Sequence, residues 1–342
     1  MTSDPTQPLP DFARFWAREL GAKESTLVQL KGGINNRVYR CGDLHFWVIK
    51  GYEPLKPGLR DRMQAEVEFL QYSVQVAPEF TPSLIHVDAG HRCVVMEHVD
   101  GEAFQEGVPP PPLAIDYAVD FFKRLNADFA IARQTIRQNA AEGFLGLAEH
   151  LENIHQRLAG MTCDHIHAEI KPQAELLLAS LRYRFKIISE KTVNEIVSGK
   201  LNDTIQPEDC CISPSDFGFH NAILSRGGVR FIDFEFSGWD DPAKAAIDFI
   251  LQPRIPLKQG TSPLLASMNP EQYNNIKKRY ETLLPILSLK WICIILSVLN
   301  PDRLGDMMRI YPSNQLRSLI SERINCAGSY LKTHSIRLFD PV

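Results

Sequence analysis

The stretch Ser213–Glu235, SPSDFGFHNAILSRGGVRFIDFE, sets Asp216, Asn221 and Asp233 among strand-forming apolar residues. Acids and amides persist in such a setting when they are partnered or bind something, because burying them unpaired is costly. CCIS just before predicts a strand, FGFHN a loop, AILS a strand, RGG a tight turn and VRFID a further strand. The Gly pair suits a hairpin. Asn221 then opens one strand and Asp233 closes its antiparallel partner, so both belong at one edge of the hairpin. Asp216 lies on the loop leading into it. Two acids and an amide converging there offer hard oxygen ligands for Mg²⁺ and a carboxylate beside a substrate hydroxyl. Phosphoryl transfer needs those parts, since it depends on charge neutralisation and alignment more than on covalent chemistry.

The same chemistry calls for a nucleotide clamp upstream: a glycine-containing turn, a strand lysine for the phosphates and a helix glutamate to hold it. KGGINN supplies Gly32 and Gly33 between the strands TLVQL and RVYRC, and LHFWVIK ends on Lys50. The amphipathic helix over Leu59–Ser73, with Met63, Val67, Phe69 and Leu70 at helical spacing, carries Glu66 and Glu68. A short first helix, Asp11–Leu20, precedes this set, and SLIHVDA and RCVVMEHV follow as two strands around the turn at Gly90. Residues 1–98 thus predict the order β-β-β-α-β-β after that helix.

Gly101–Pro112, GEAFQEGVPPPP, has four consecutive prolines and no period, which predicts an extended connector and a boundary near Val99. Helical patterning follows. Ala118, Phe121, Phe122, Leu125 and Phe129 form one stripe, Gln173–Val197 reads as long helix, and 281–330 is again helical. The fold class expected is α+β: a nucleotide-binding lobe over 1–98, with an antiparallel sheet and one helix, and a larger, mainly helical lobe over 99–342 carrying the catalytic loop and the acceptor site. A junction between two lobes is a favoured place for a small-molecule site.

Charge and composition exclude other classes. Lys plus Arg number 37 against 41 Asp plus Glu, a formal charge of -4, so there is no basic footprint for nucleic acid. Seven scattered cysteines without CxxC spacing, and an N-terminus with neither basic start nor apolar core, predict reduced thiols in a cytoplasmic protein. WICIILSVL, Trp291–Leu299, falls short of the roughly 20 residues that span a bilayer and reads as a buried helix, with no membrane partner. His150, His155, His165 and His167 lack a supporting ligand pattern and are read as structural.

With these motifs in order, the chain resembles the aminoglycoside phosphotransferase and choline kinase superfamily, whose fold is similar to that of protein kinases. The correspondence runs from about Lys31 to Phe249. SPSDFGFHN then FIDFE resembles the family's HGDxxxxN then IDxG or IDxE, with Lys50 and Glu66 separated by 16 residues and Asn221 and Asp233 by 12. The resemblance implies that Asp216 orients or deprotonates the acceptor hydroxyl, that Asn221 and Asp233 bind Mg²⁺, and that Lys50 contacts the ATP (or GTP) phosphates. Glu66, within ExxFL spacing, would pair with Lys50, and Glu68 would point elsewhere. VVMEHV would be the interlobe hinge, where backbone groups of Glu97 and Val99 meet the adenine edge, and Asp248 of GWDDPAKAAIDF would support the catalytic loop. The acceptor implied is a small hydroxyl compound: a sugar, amino sugar, amino alcohol or aminoglycoside. For a cationic acceptor, Glu235, Asp240 and Asp241 are candidate cleft acids, which capping or pairing would equally explain. Pro214 and Ser215 replace the family's His-Gly, which leaves open a catalytically silent nucleotide-binding or scaffold protein. No APE-like segment follows FIDFE, which speaks against a protein kinase.

Overall fold

The computed structural model describes residues 9–30, 36–257, 262–268 and 270–339. Its elements begin α1 (Asp11–Glu19), β1 (Val28–Gln29), β2 (Asn36–Cys41), β3 (Trp47–Tyr52), α2 (Arg62–Val76), β4 (Leu84–Asp88), β5 (Cys93–Glu97), β6 (Glu102–Ala103), α3 (Pro112–Leu125) and α4 (Phe129–Thr135). They continue with α5 (Leu147–Ala159), α6 (Lys171–Val197), β7 (Cys211–Ser213), β8 (Ala222–Ser225), β9 (Gly228–Phe231) and β10 (Gly238–Asp240). The remainder is helical: α7 (Pro242–Leu251), α8 (Pro263–Ala266), α9 (Pro270–Ile295), α10 (Pro301–Ile310) and α11 (Ser313–Phe339). One compact unit comprises Met1–Gly143 with Cys211–Asp240, the other Phe144–Cys210 with Asp241–Val342.

The first unit is built on an antiparallel sheet in the order β1-β2-β3-β5-β4. β3 is central, with Lys50 in register with Val38 on one side and Val94 on the other. Strand side chains alternate between faces. Ile49 joins Trp16, Ala17, Cys41, Cys93 and Val95 in the cluster that includes α1, whereas Val48 and Tyr52 pack with Met63 and Val67 of α2. Lys50, between Val48 and Tyr52, is thereby sent to the α2 face. The α2 helix starts at Arg62 rather than Leu59 because the Asp61 carboxylate caps it, accepting from the Gln64 amide.

The phenylalanines of the quoted stretch form the floor of the same unit. Phe121 of α3 stacks on Phe231 at 5.1 Å and meets Phe217 edge-on at 5.9 Å, while Phe234 stacks on Phe69 of α2 at 4.4 Å. β8 and β9 form the expected hairpin, Ala222 opposite Phe231 and Ser225 opposite Gly228. Two expectations need correction here. The connector is not wholly without pairing, for Glu102 and Ala103 add β6 to the hairpin opposite Leu224 and Ile223. Gly101 permits this: its φ is +154°, and a Cβ there would sit 2.3 Å from the Leu224 carbonyl oxygen. The aromatic stripe is also broken, because Asn126 ends α3 and exchanges hydrogen bonds with the Ile212 backbone, so that Phe129 opens a new helix.

In the second unit, all ten residues of α7 are buried. The apolar run ending α9 is longer than the nine residues of its sequence signature. The helical stretch Tyr273–Leu299 is long and apolar enough, by length and composition, to cross a membrane, and 67% of its apolar window is buried within the fold, as in a core helix. Asp248 accepts from Lys290 Nζ at 2.6 Å and from the Trp291 indole at 2.8 Å, so its carboxylate ties α7 to α9. His165 meets the Val298 carbonyl at 3.1 Å and His155 stacks on Phe185 at 6.1 Å, in keeping with structural histidines. The seven cysteines are free, and Cys326 is the exposed one.

Candidate active site

Lys50 is 4% exposed, and its ammonium lies 2.5 Å from Glu66 Oε2, 2.6 Å from Asp233 Oδ1 and 3.8 Å from Glu235 Oε2. Burial would lower the lysine's pKa, but the three carboxylates outweigh it and raise the value. Glu66, 1% exposed, also accepts from the Tyr52 hydroxyl at 2.5 Å and from the Phe234 amide at 3.3 Å. One helix glutamate therefore fixes the strand lysine and the backbone beside Asp233. Glu68 is also buried, but it turns away to Gln64 and the Arg137 amide.

Asp233 and Glu235 follow β9. Asp233 has φ +68°, a left-handed conformation that a non-glycine residue keeps only when its surroundings over-determine it. Here the Lys50 pair and the aromatic anchor Phe234 do so. Glu235 is 3% exposed, bonded to Asn36 at the start of β2 and 3.7 Å from Arg62. Burial raises its pKa, partly opposed by Lys50. As a buried partner of Lys50 it is not a surface acid awaiting a cationic acceptor, and Asp240 and Asp241 are buried as well, Asp241 capping α7 and pairing with Arg279. One carboxylate oxygen each from Glu66, Asp233 and Glu235 lie within 4.8 Å of one another, a spacing that could hold a metal ion.

Asp216 and Asn221 form the second group. The Asn221 amide nitrogen donates to Asp216 Oδ2 at 3.2 Å and to its backbone oxygen at 3.1 Å, and His220 Nε2 lies 3.0 Å from Asp216 Oδ1. The two groups share the open end of the hairpin: the Ile232 amide donates to the Asn221 carbonyl at 2.9 Å, so the residue before Asp233 is latched to Asn221. Ser215, at φ +65°, donates through its hydroxyl to the Ala141 carbonyl, and its amide is held by Ser213 Oγ at 2.9 Å.

The expected hinge ends β5. Glu97 takes a two-pronged bond from Arg230 of β9, at 2.5 and 2.9 Å, which holds its carboxyl below the usual range; Val99 follows, half-buried. Gly32 and Gly33 lie outside the described residues. Sequence reasoning missed Tyr52, Asn36, Arg60 and Arg62. Strand alternation could have yielded Tyr52, two residues from Lys50. The Arg60 guanidinium bonds three carbonyls, those of Asn139, Glu235 and Ser237, with Glu235 at 3.2 Å; no sequence pattern announces that.

Neither a family model nor a curated protein sequence matches this chain. Solved structures do. A spectinomycin phosphotransferase bound to ADP and spectinomycin aligns with 95% of this chain and 99% of its own at 14% identity, TM-score 0.57. The chain has the fold of the aminoglycoside phosphotransferases and choline kinases. The choline kinase of Cryptosporidium parvum Iowa II aligns over 93% of this chain and 92% of its own, at 13% identity and TM-score 0.55. An APH(2'') complex with GDP and kanamycin covers 94% and 97% at 16% identity, TM-score 0.57. This is the α+β, protein-kinase-like fold expected from the motifs; the spectinomycin phosphotransferase holds ADP and the APH(2'') structure GDP.

Proposed function

We propose that the chain is a Mg²⁺-dependent phosphotransferase that moves the γ-phosphoryl group of ATP to a hydroxyl of a small molecule. The observation that carries it is Lys50 clamped at 2.5 and 2.6 Å between Glu66 and Asp233, with Glu235 completing the carboxylate set. One buried cation among three carboxylates leaves excess negative charge, which suits a divalent ion. The donors fit magnesium in kind: Asp233 and Glu235 offer carboxylate oxygens, and Asn221, whose nitrogen is spent on Asp216, keeps its amide oxygen. When bound, magnesium neutralises charge on the phosphates.

In this reading Lys50 releases Asp233 to face the α- and β-phosphates, and Glu66 keeps the ammonium in place. Asp216, 37% exposed at its side chain, orients the acceptor hydroxyl and takes its proton. The acceptor oxygen forms its bond to the γ-phosphorus as the bond to the β-bridging oxygen breaks, and ADP departs. Backbone groups of Glu97 and Val99 would meet the adenine edge.

The test is ADP release from MgATP across a panel of sugars, amino sugars and amino alcohols. Asp216→Asn should abolish turnover and leave nucleotide affinity intact. Sustained turnover in that variant would remove Asp216 from the role. The Pro214-Ser215 pair favours a second reading, a silent nucleotide-binding protein; MgATP binding with no ADP release against any acceptor would be its signature.

A further inference from the structure

Asp216 is gripped on both carboxylate oxygens, by Asn221 on Oδ2 and by His220 on Oδ1. The His220 side chain is 6% exposed, and its Nδ1 is buried with no hydrogen-bond partner. An ionised carboxylate can only accept, so it is His220 Nε2 that donates in this bond. A residue present for packing alone would bury no unsatisfied nitrogen, and phenylalanine would fill the space without that cost. The polarity of this ring is therefore retained for its one bond to Asp216.

The bond answers a geometric need. Rotation of an aspartate carboxyl is broad and roughly two-fold, so one contact does not set which oxygen faces outward. Upstream, Pro214 has no donor to give; it accepts from the Asp216 amide at 2.9 Å. His220 rides on the short turn Phe219–Asn221, whose Phe219 is 1% exposed and packs edge-on against Phe104 at 5.1 Å. The donor is thus fixed to the aromatic floor. We infer that His220 is the positioning residue for Asp216, holding its carboxylate toward the acceptor from the downstream side of the loop while Asn221 serves both Asp216 and the metal.

This inference rests on the phosphotransferase reading. Two substitutions separate donor from ring: His220→Phe keeps the ring and loses the donor, and His220→Gln keeps an amide N–H at the reach of Nε2. With both variants verified as folded by thermal melting, ADP release is followed from MgATP with water as acceptor. His220→Phe should lower kcat roughly 10- to 100-fold, with KM for MgATP within about threefold, because misorienting a reacting group costs turnover and not nucleotide binding. His220→Gln should recover kcat to within about fivefold of the parent. Unchanged kcat in His220→Phe, a loss confined to KM, or a Gln variant as impaired as the Phe variant would overturn the inference. Should His220→Phe fail to fold, His220→Ala replaces it. A parent chain that binds MgATP and releases no ADP with water or with any acceptor of the panel refutes the proposed function instead; crystals of parent and variant then decide, an identical Asp216 rotamer overturning the inference and a rotated one sustaining it.

Discussion

Lys50 shows how a single residue can decide whether its surroundings hold together. Three carboxylates face one buried ammonium, and the pair geometry is good only while that cation is present. Lys50→Met, close in volume, should leave Glu66 buried without a counter-charge and cost about 3–5 kcal/mol. Urea denaturation checks this, and an unshifted midpoint would mean that the acids find another partner. Lys50, Glu66, Asp216, Asn221 and Asp233 were all legible by type and spacing. The Lys50–Glu66 pair was expected; what could not be read was that Lys50 also rests on Asp233, or that Glu235 reaches Asn36, residues 199 positions apart in sequence.

At the level of elements, the segment after Asp233 is held to the start of α2 by Arg60, whose guanidinium serves the carbonyls of Glu235, Ser237 and Asn139. Burial lowers the Arg60 pKa to about 10, so the group stays charged at neutral pH. Arg60→Ala strands those carbonyls, and a loss of roughly 2–3 kcal/mol is expected, hydrogen bonds to charged groups being the stronger kind. Arg60→Lys should recover less than half, because an ammonium lacks the planar fork that reaches three acceptors. Hydrogen exchange would show faster opening around Ser237 in both. Equal protection in Arg60→Ala would assign the hold on this turn to Phe234 and its stacking instead.

For the whole molecule, acid stability has a readable sign. His150 of α5 is 3% exposed, and burial followed by the nearby Lys244, Lys290 and Arg279 lowers its pKa to about 3 from an ordinary 6.5, against a smaller opposing effect of Asp248. A base depressed in the folded state stabilises fully above its unfolded value, and that stabilisation is lost as pH falls toward the folded one. Between pH 6.5 and 5 the loss is about 2 kcal/mol, at roughly 1.4 kcal/mol per unit. Asp248 extends the decline below the usual carboxylate range: burial would raise its pKa, but Lys290 and Lys244 hold it low. Glu235 runs the other way, since its raised pKa favours the folded state as pH drops. Denaturant midpoints at pH 7 and 5 should differ in the parent and nearly coincide in His150→Phe; an equal drop in both would assign that window to other groups.

By itself the sequence determined the local and periodic features: the β-β-β-α-β-β order, the hairpin that brings Asn221 and Asp233 to one end, the helix acid sixteen residues from Lys50. These follow from alternation, turn chemistry and helical spacing, all written within a few residues. Tertiary structure alone decided the rest. The hold of His220 on Asp216, the burial of Glu235 against Lys50, and the clamp of Arg60 on a turn 175 to 177 residues away depend on which side chains meet when the aromatic floor closes. Buried polar atoms must find partners in three dimensions, and sequence distance places no limit on where those partners come from.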